Sequence, residues 1–115
     1  MLSFTTSWRV AILSNMKAKS LLKERRILSD TSFLDLVVWQ VPQPVTGSSH
    51  HFKYRLAFVV DDVCIIRYDN EAGKGNHKHL AEVEVPYPFT GLRQLVDDFL
   101  NDVENWRQEH EHCHD

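Results

Sequence analysis

The chain has too little cysteine for a disulfide framework: Cys64 and Cys113 are its only two in 115 residues. Cys64 stands in a strand-like apolar run and reads as a small packed hydrophobe, whereas Cys113 lies in a polar tail. Nothing here calls for an oxidising compartment, and the expected location is cytoplasmic. Long apolar runs are missing too. None approaches the ~20 residues of a membrane-spanning helix, so no membrane partner is expected. Val10-Ala11-Ile12-Leu13 is too short for a signal-peptide core, and no cleavage site follows it. Excess positive charge is also absent. A net charge of −3 argues against a generic nucleic-acid coat and restricts any polyanion contact to a local patch. Neither repeats nor a P-loop occur, since no Gly-Lys-Ser/Thr leads into a helix.

What is present is one domain's worth of chain with an ordinary core fraction, 43% hydrophobic. Residues 1–15 show no periodicity and carry Arg9 as their only charge; they read as an extension, with Met16 a more natural start. Leu21–Leu28 and Phe33–Val41 predict a hairpin around Ser29-Asp30-Thr31-Ser32. A two-residue Asp30-Thr31 loop would set Arg26 opposite Asp35, and Val37, Trp39 and Val41 share the face expected to be core. Pro42 to Ser49 breaks the sheet. Phe52, Tyr54, Leu56, Phe58 and Val60 alternate with polar residues and predict a half-buried strand. Asp61-Asp62 suits a tight turn, since aspartate tolerates left-handed backbone. In that register Arg67 faces Leu56 and Asp69 faces Tyr54.

His77 to Val85 reads as one further strand, with Glu82 and Glu84 on one side, ended by Pro86 and Pro88. Thr90 is the expected cap of an amphipathic helix whose stripe is Leu92, Leu95, Val96, Phe99, Val103 and Trp106. Asp97, Asp98, Asp102 and Glu104 fall off the stripe and are expected to face water. Residues 108–115 form a His/Glu-rich tail expected to be flexible; its His110-x-His112-Cys113-His114 reads as solvated, with adventitious metal binding at most. The fold class is α+β: an antiparallel sheet of four or five strands with one long C-terminal helix on one face. Charge is uneven, with five basic residues against one acidic in 16–28 and six acidic against two basic in 90–111.

Chemistry gathers in Tyr68-Asp69-Asn70-Glu71-Ala72-Gly73-Lys74-Gly75-Asn76-His77-Lys78-His79, a strand end that crosses a glycine loop into a second strand. Arg67, Lys74 and Lys78, with backbone N–H groups around Gly73 and Gly75, could cradle a phosphate. His77-x-His79 places two imidazoles on one strand face. They could exchange protons, bind a metal with Asp69 as third ligand, or simply be exposed. Asp69 and Asn70 suit loop ordering through side-chain-to-backbone bonds. Tyr68 could donate a proton or stack on a base, or be buried in the sheet.

These residues, together with Leu22-Lys23-Glu24-Arg25-Arg26, Val38-Trp39-Gln40-Val41-Pro42, Phe52-Lys53-Tyr54-Arg55-Leu56 and Phe89-Thr90-Gly91-Leu92-Arg93-Gln94-Leu95, resemble the TumE-type toxins of bacterial toxin–antitoxin pairs. The resemblance covers about residues 16–107, with Thr31 and Asp62 where the pattern has glycine. It implies a toxin neutralised by a cognate helix-turn-helix type antitoxin. The first expectation is action on RNA, cleaved by His77 and His79 as acid and base with cationic support, using no cofactor and no metal. A non-catalytic module that grips nucleic acid or protein is the second. A metal-dependent hydrolase using His77, His79 and Asp69 is the third.

Overall fold

The computed structural model describes residues 18–111. Alternating apolar residues and short turns fold them into β1 (Lys19–Ile27), β2 (Ser32–Gln40), β3 (Phe52–Val60), β4 (Val63–Asp69), β5 (His77–Leu80), β6 (Val83–Pro86) and a helix, α1 (Leu92–Glu111). The strands form one antiparallel sheet in chain order, each hydrogen-bonded to the next. The architecture is α+β with six strands, not four or five. The extra strand arises because His77–Val85 is not continuous: it reverses at Ala81-Glu82, bringing Leu80 opposite Val83. Ala81 takes a left-handed φ of 58°, which its residue type does not advertise. The expected boundary at Met16 and the extension 1–15 lie outside the described residues, as does Cys113. Helix α1 continues to Glu111, past the expected end at Arg107.

Two registers and one buried face differ from expectation. The first hairpin does not close on Asp30-Thr31. Leu28 and Ser29 both donate to the Ser32 carbonyl, and the Ser29 hydroxyl lies 2.7 Å from that of Ser32. Thr31 is β-branched and resists the left-handed backbone that a two-residue turn demands. The register therefore moves by one and Arg25, not Arg26, faces Asp35. Arg25 clasps that carboxylate through Nε and Nη2, both at 2.8 Å, and holds it below its ordinary pKa. Asp61-Asp62 does make the tight turn, with φ of 50° and 66°. Beyond it, however, a bulge between Phe58 and Val59 leaves Ile65 unpaired and sets Arg67 opposite Ala57 and Tyr68 opposite Leu56. Finally, the buried face of β2 is Leu34, Leu36 and Val38; Trp39, on the other face, is exposed. Both faces of that strand are apolar, so its partner β3, with Tyr54, Leu56 and Phe58 inward, decides the choice.

Leu95, Phe99 and Val103 of α1 lie over this inner face and complete the core with Ile66, Tyr68 and Tyr87. Its first helical bond runs from the Leu95 N–H to the Gly91 carbonyl, so Gly91 holds the cap position expected for Thr90. Asp98 and Asp102 are half-buried and face the sheet rather than open water. Tyr87 donates to Asp98 at 2.6 Å, Tyr68 donates to Asp102, and Lys78 donates to Asp102 at 3.3 Å. The helix is thus bonded to the sheet as well as packed on it. Cys64 pairs with Val59 on the uncovered face and is exposed rather than packed. Among the described residues no helix is long and apolar enough to cross a membrane.

Burial raises the phenol pKa of Tyr54, Tyr68 and Tyr87, aided at Tyr68 and Tyr87 by hydrogen bonds to Asp102 and Asp98. These are the only tyrosines in the chain. A raised folded pKa gives stability that is complete below the unfolded value of about 10 and falls as pH rises above it. Tyrosinate absorbance should therefore appear only as the protein unfolds, in one cooperative step above about pH 10. A gradual titration of a still-folded protein, followed by circular dichroism, would contradict this burial.

Candidate functional site

Because side chains alternate across the sheet, the expected site residues separate onto two faces. Tyr68 and Lys78, paired across β4 and β5, point towards α1. Tyr68 is fully buried, with its hydroxyl bonded to Asp102, on the face opposite the histidines. Lys78 is paired with the same carboxylate, apart from Arg67 and Lys74. Arg67, Asp69, His77 and His79 occupy the opposite, uncovered face, with Arg67 beside His79 and Asp69 beside His77. Glu84, directly across from His79 on β6, joins them. The sequence gives no sign of this last residue because the reversal at Ala81-Glu82 has no glycine or asparagine signal.

These five side chains form one connected network of a guanidinium, two imidazoles and two carboxylates. Arg67 Nη2 lies 2.8 Å from His79 Nε2, and Arg67 Nε lies 3.1 Å from Asp69 Oδ2. Glu84 Oε2 stands 3.4 Å from His79 Nε2, 3.3 Å from His77 Nε2 and 3.7 Å from Lys74 Nζ. Asp69 Oδ1 approaches His77 Nε2 to 2.7 Å. A guanidinium only donates, so His79 presents the lone pair of Nε2 to Arg67 and carries its proton on Nδ1. A carbonyl only accepts, so His77 donates from Nδ1 to the Gly75 carbonyl at 3.0 Å. His77 is the most enclosed of the group, 4% exposed. Its Nε2, Asp69 Oδ1 and Arg67 Nε are buried atoms in close contact whose geometry aligns no hydrogen bond. A cavity of about 320 Å³ lined by Lys74, Asn76, His77, Glu84, Val85 and Pro86 opens beside them.

The glycine loop plays a different part from an anion nest. The Gly73 N–H donates to the Thr46 carbonyl at 2.7 Å and the Lys74 N–H to Glu71, so neither points at an open site. Gly75 is buried against Gly47 of the preceding loop; a Cβ on it would lie 2.8 Å from the Gly47 carbonyl oxygen. Asn70 is buried between the two loops. Its Oδ1 accepts from the Tyr54 N–H at 3.0 Å and its Nδ2 donates to the Phe52 carbonyl at 2.7 Å, extending the ladder where β4 ends. Asn76 Oδ1 accepts from the Tyr54 hydroxyl and lies 2.8 Å from His50 Nε2, whose ring stacks on Phe89. The loops are docked backbone to backbone, which holds His77 in place through Gly75.

Gly75→Ala should lower stability by about 1–3 kcal/mol, since φ is +75° and the added carbon meets backbone. Gly73→Ala, also left-handed but with open space around it, should cost less. Denaturant midpoints measure both, and equal losses would show that loop docking does not depend on this close approach.

Comparison with known proteins agrees with the residues quoted above. A family model described as Toxin TumE matches residues 14–107, most of the chain. No curated protein and no solved structure matches. The matched segment holds every described strand, the loop pair and the network of five side chains, and by that match the protein belongs to the TumE toxin family.

Proposed function

We propose that this toxin acts on RNA by metal-independent cleavage centred on His79 and Arg67, in the cytoplasm, and that a cognate helix-turn-helix type antitoxin holds it in check. The observation that carries the reading is the Arg67–His79 contact at 2.8 Å, which joins a phosphate-binding cation to an imidazole lone pair at the rim of an uncovered sheet face. On that face Lys23, Lys53 and Arg55 are exposed, and Trp39 lies across from Lys53. A backbone polyanion can track such cations, and an aromatic ring offers a surface for a splayed base.

In this reading His79 Nε2 removes the proton of a ribose 2′-hydroxyl. The 2′-oxygen attacks phosphorus, the bond to the 5′-oxygen breaks, and the leaving oxygen takes a proton from solvent at this exposed rim. Arg67 turns from His79 to the phosphoryl oxygens and stabilises their developing charge. His77 is too enclosed to meet substrate. It acts by position, keeping Asp69 and Glu84 aligned against Arg67 and His79. Lys74, on the open side of Glu84, adds positive charge to the cavity mouth.

His79→Ala should lose about 10²–10⁴ in cleavage rate with its fold intact. Lys74→Ala should lose less, because Arg67 remains. The measurement is growth arrest on expression, together with RNA cleavage by the purified variants and circular dichroism. A folded His79→Ala protein that cleaves at the parental rate removes the acid–base assignment. A His79→Gln protein that still arrests growth, with no cleavage by either form, favours a non-catalytic binding module.

A further inference from the structure

The neighbourhood of His77 holds more negative charge and more unshared lone pairs than proton transfer at His79 requires. His77, His79 and Glu84 each offer a ligand atom, and the three atoms lie within 4.8 Å of one another. Glu84 Oε2 is 3.3 Å from one imidazole nitrogen and 3.4 Å from the other. Two ligand atoms each about 2.1 Å from a tetrahedrally bound ion stand about 3.4 Å apart. The two distances to Glu84 therefore match ligands that share one ion.

The protons point the same way. His77 gives its Nδ1 hydrogen to the Gly75 carbonyl, the arrangement that orients a metal-bound histidine and leaves Nε2 free to ligate. That Nε2 is buried, without an aligned hydrogen bond, and faces two carboxylates. Asp69 Oδ1, 2.7 Å away, is buried and unaligned as well. Two lone pairs at that distance repel unless a proton or a cation lies between or beside them, and a metal ion on Nε2 is one such cation.

We propose that His77, His79 and Glu84 bind one divalent transition-metal ion of the zinc class, with Asp69 beside it. Two imidazoles and one carboxylate suit zinc, cobalt or nickel; magnesium and calcium prefer oxygen ligands. The ligands come from the two strands of one tight hairpin, β5 and β6, with Glu84 in register with His79, so little ordering is needed. Three protein ligands leave a position open to water or substrate.

Arg67 gives the site a consequence, which rests on the cleavage reading above. His79 Nε2 has one lone pair, and Arg67 now donates to it. A metal on that nitrogen displaces Arg67, which keeps Asp69, and removes the base. Metal occupancy and acid–base cleavage exclude one another, so zinc should silence the toxin.

The test uses the full chain, freed of metal with a chelator and titrated with Zn²⁺ by calorimetry and with Co²⁺ by visible absorption. One ion per chain is expected, with the intense visible bands of a tetrahedral cobalt site. Glu84→Gln and His79→Ala, at part-exposed positions, should weaken binding by more than the about 10–100-fold typical of losing a supporting group. Joint replacement of His112, Cys113 and His114 should leave it unchanged. RNA cleavage in EDTA should fall as Zn²⁺ is restored. Absence of binding, or binding lost with the tail and kept in Glu84→Gln and His79→Ala, overturns the site whether or not cleavage persists. Binding at the site with cleavage that appears only on adding metal supports the site and overturns the metal-independent reading.

Discussion

The register of β3 against β4 is the constraint on which this molecule depends. At the turn, Val60 pairs with Val63, and an uninterrupted ladder would carry Arg67 opposite Leu56, onto the face covered by α1. Burying Arg67 and Asp69 there would strip two charges of water, a penalty of several kcal/mol for each. The bulge at Ile65 inserts one residue and exchanges the faces of everything after it. Tyr68 goes inward to meet Phe99 and Asp102, while Arg67 and Asp69 go outward to meet the histidines. The Ile65 carbonyl, freed from the ladder, accepts from the Ala81 N–H at 2.8 Å and so helps position the β5–β6 turn.

The two faces of the sheet then do different work with similar residue types. On the inner face, carboxylates of α1 accept from two tyrosines, Asp98 from Tyr87 just past β6 and Asp102 from Tyr68 of β4. A buried phenol needs such a partner, and a helix carboxylate at the edge of the core supplies one that is itself partly hydrated. On the outer face, which α1 does not cover, Arg67, Asp69, His77, His79 and Glu84 make their ionic contacts with one another and with Lys74. Glu84 Oε2 alone is shared among Lys74, His77 and His79.

Rigidity for the outer face comes from the loops. Gly47 and Gly75 meet closely enough that neither tolerates a Cβ, and Asn70 and Asn76 bond across the same junction. His77 hangs from this junction through Gly75, which fixes both the ring's orientation and its tautomer. Gly47 and Gly75 thus act by close packing behind the histidines, and the Gly73 N–H is spent on the Thr46 carbonyl.

The sequence by itself determined the α+β class, the amphipathic helix, the strand β3, the Asp61-Asp62 turn and the cluster of chemical groups from Arg67 to His79. Those features rest on local periodicity and turn chemistry, which a chain states residue by residue. Ile65-Ile66, two apolar residues in succession before Arg67, was the one local trace of the bulge. Tertiary structure alone decided which face each group occupies, since one inserted residue reverses every side chain beyond it. It also decided that Asp102 belongs to Tyr68 and that Glu84 stands across from His79. Those pairings cross strands and helix, and the backbone reversal at Ala81 that permits the second is stabilised by contacts distant in sequence, such as the Ile65 carbonyl, rather than by its own residue type.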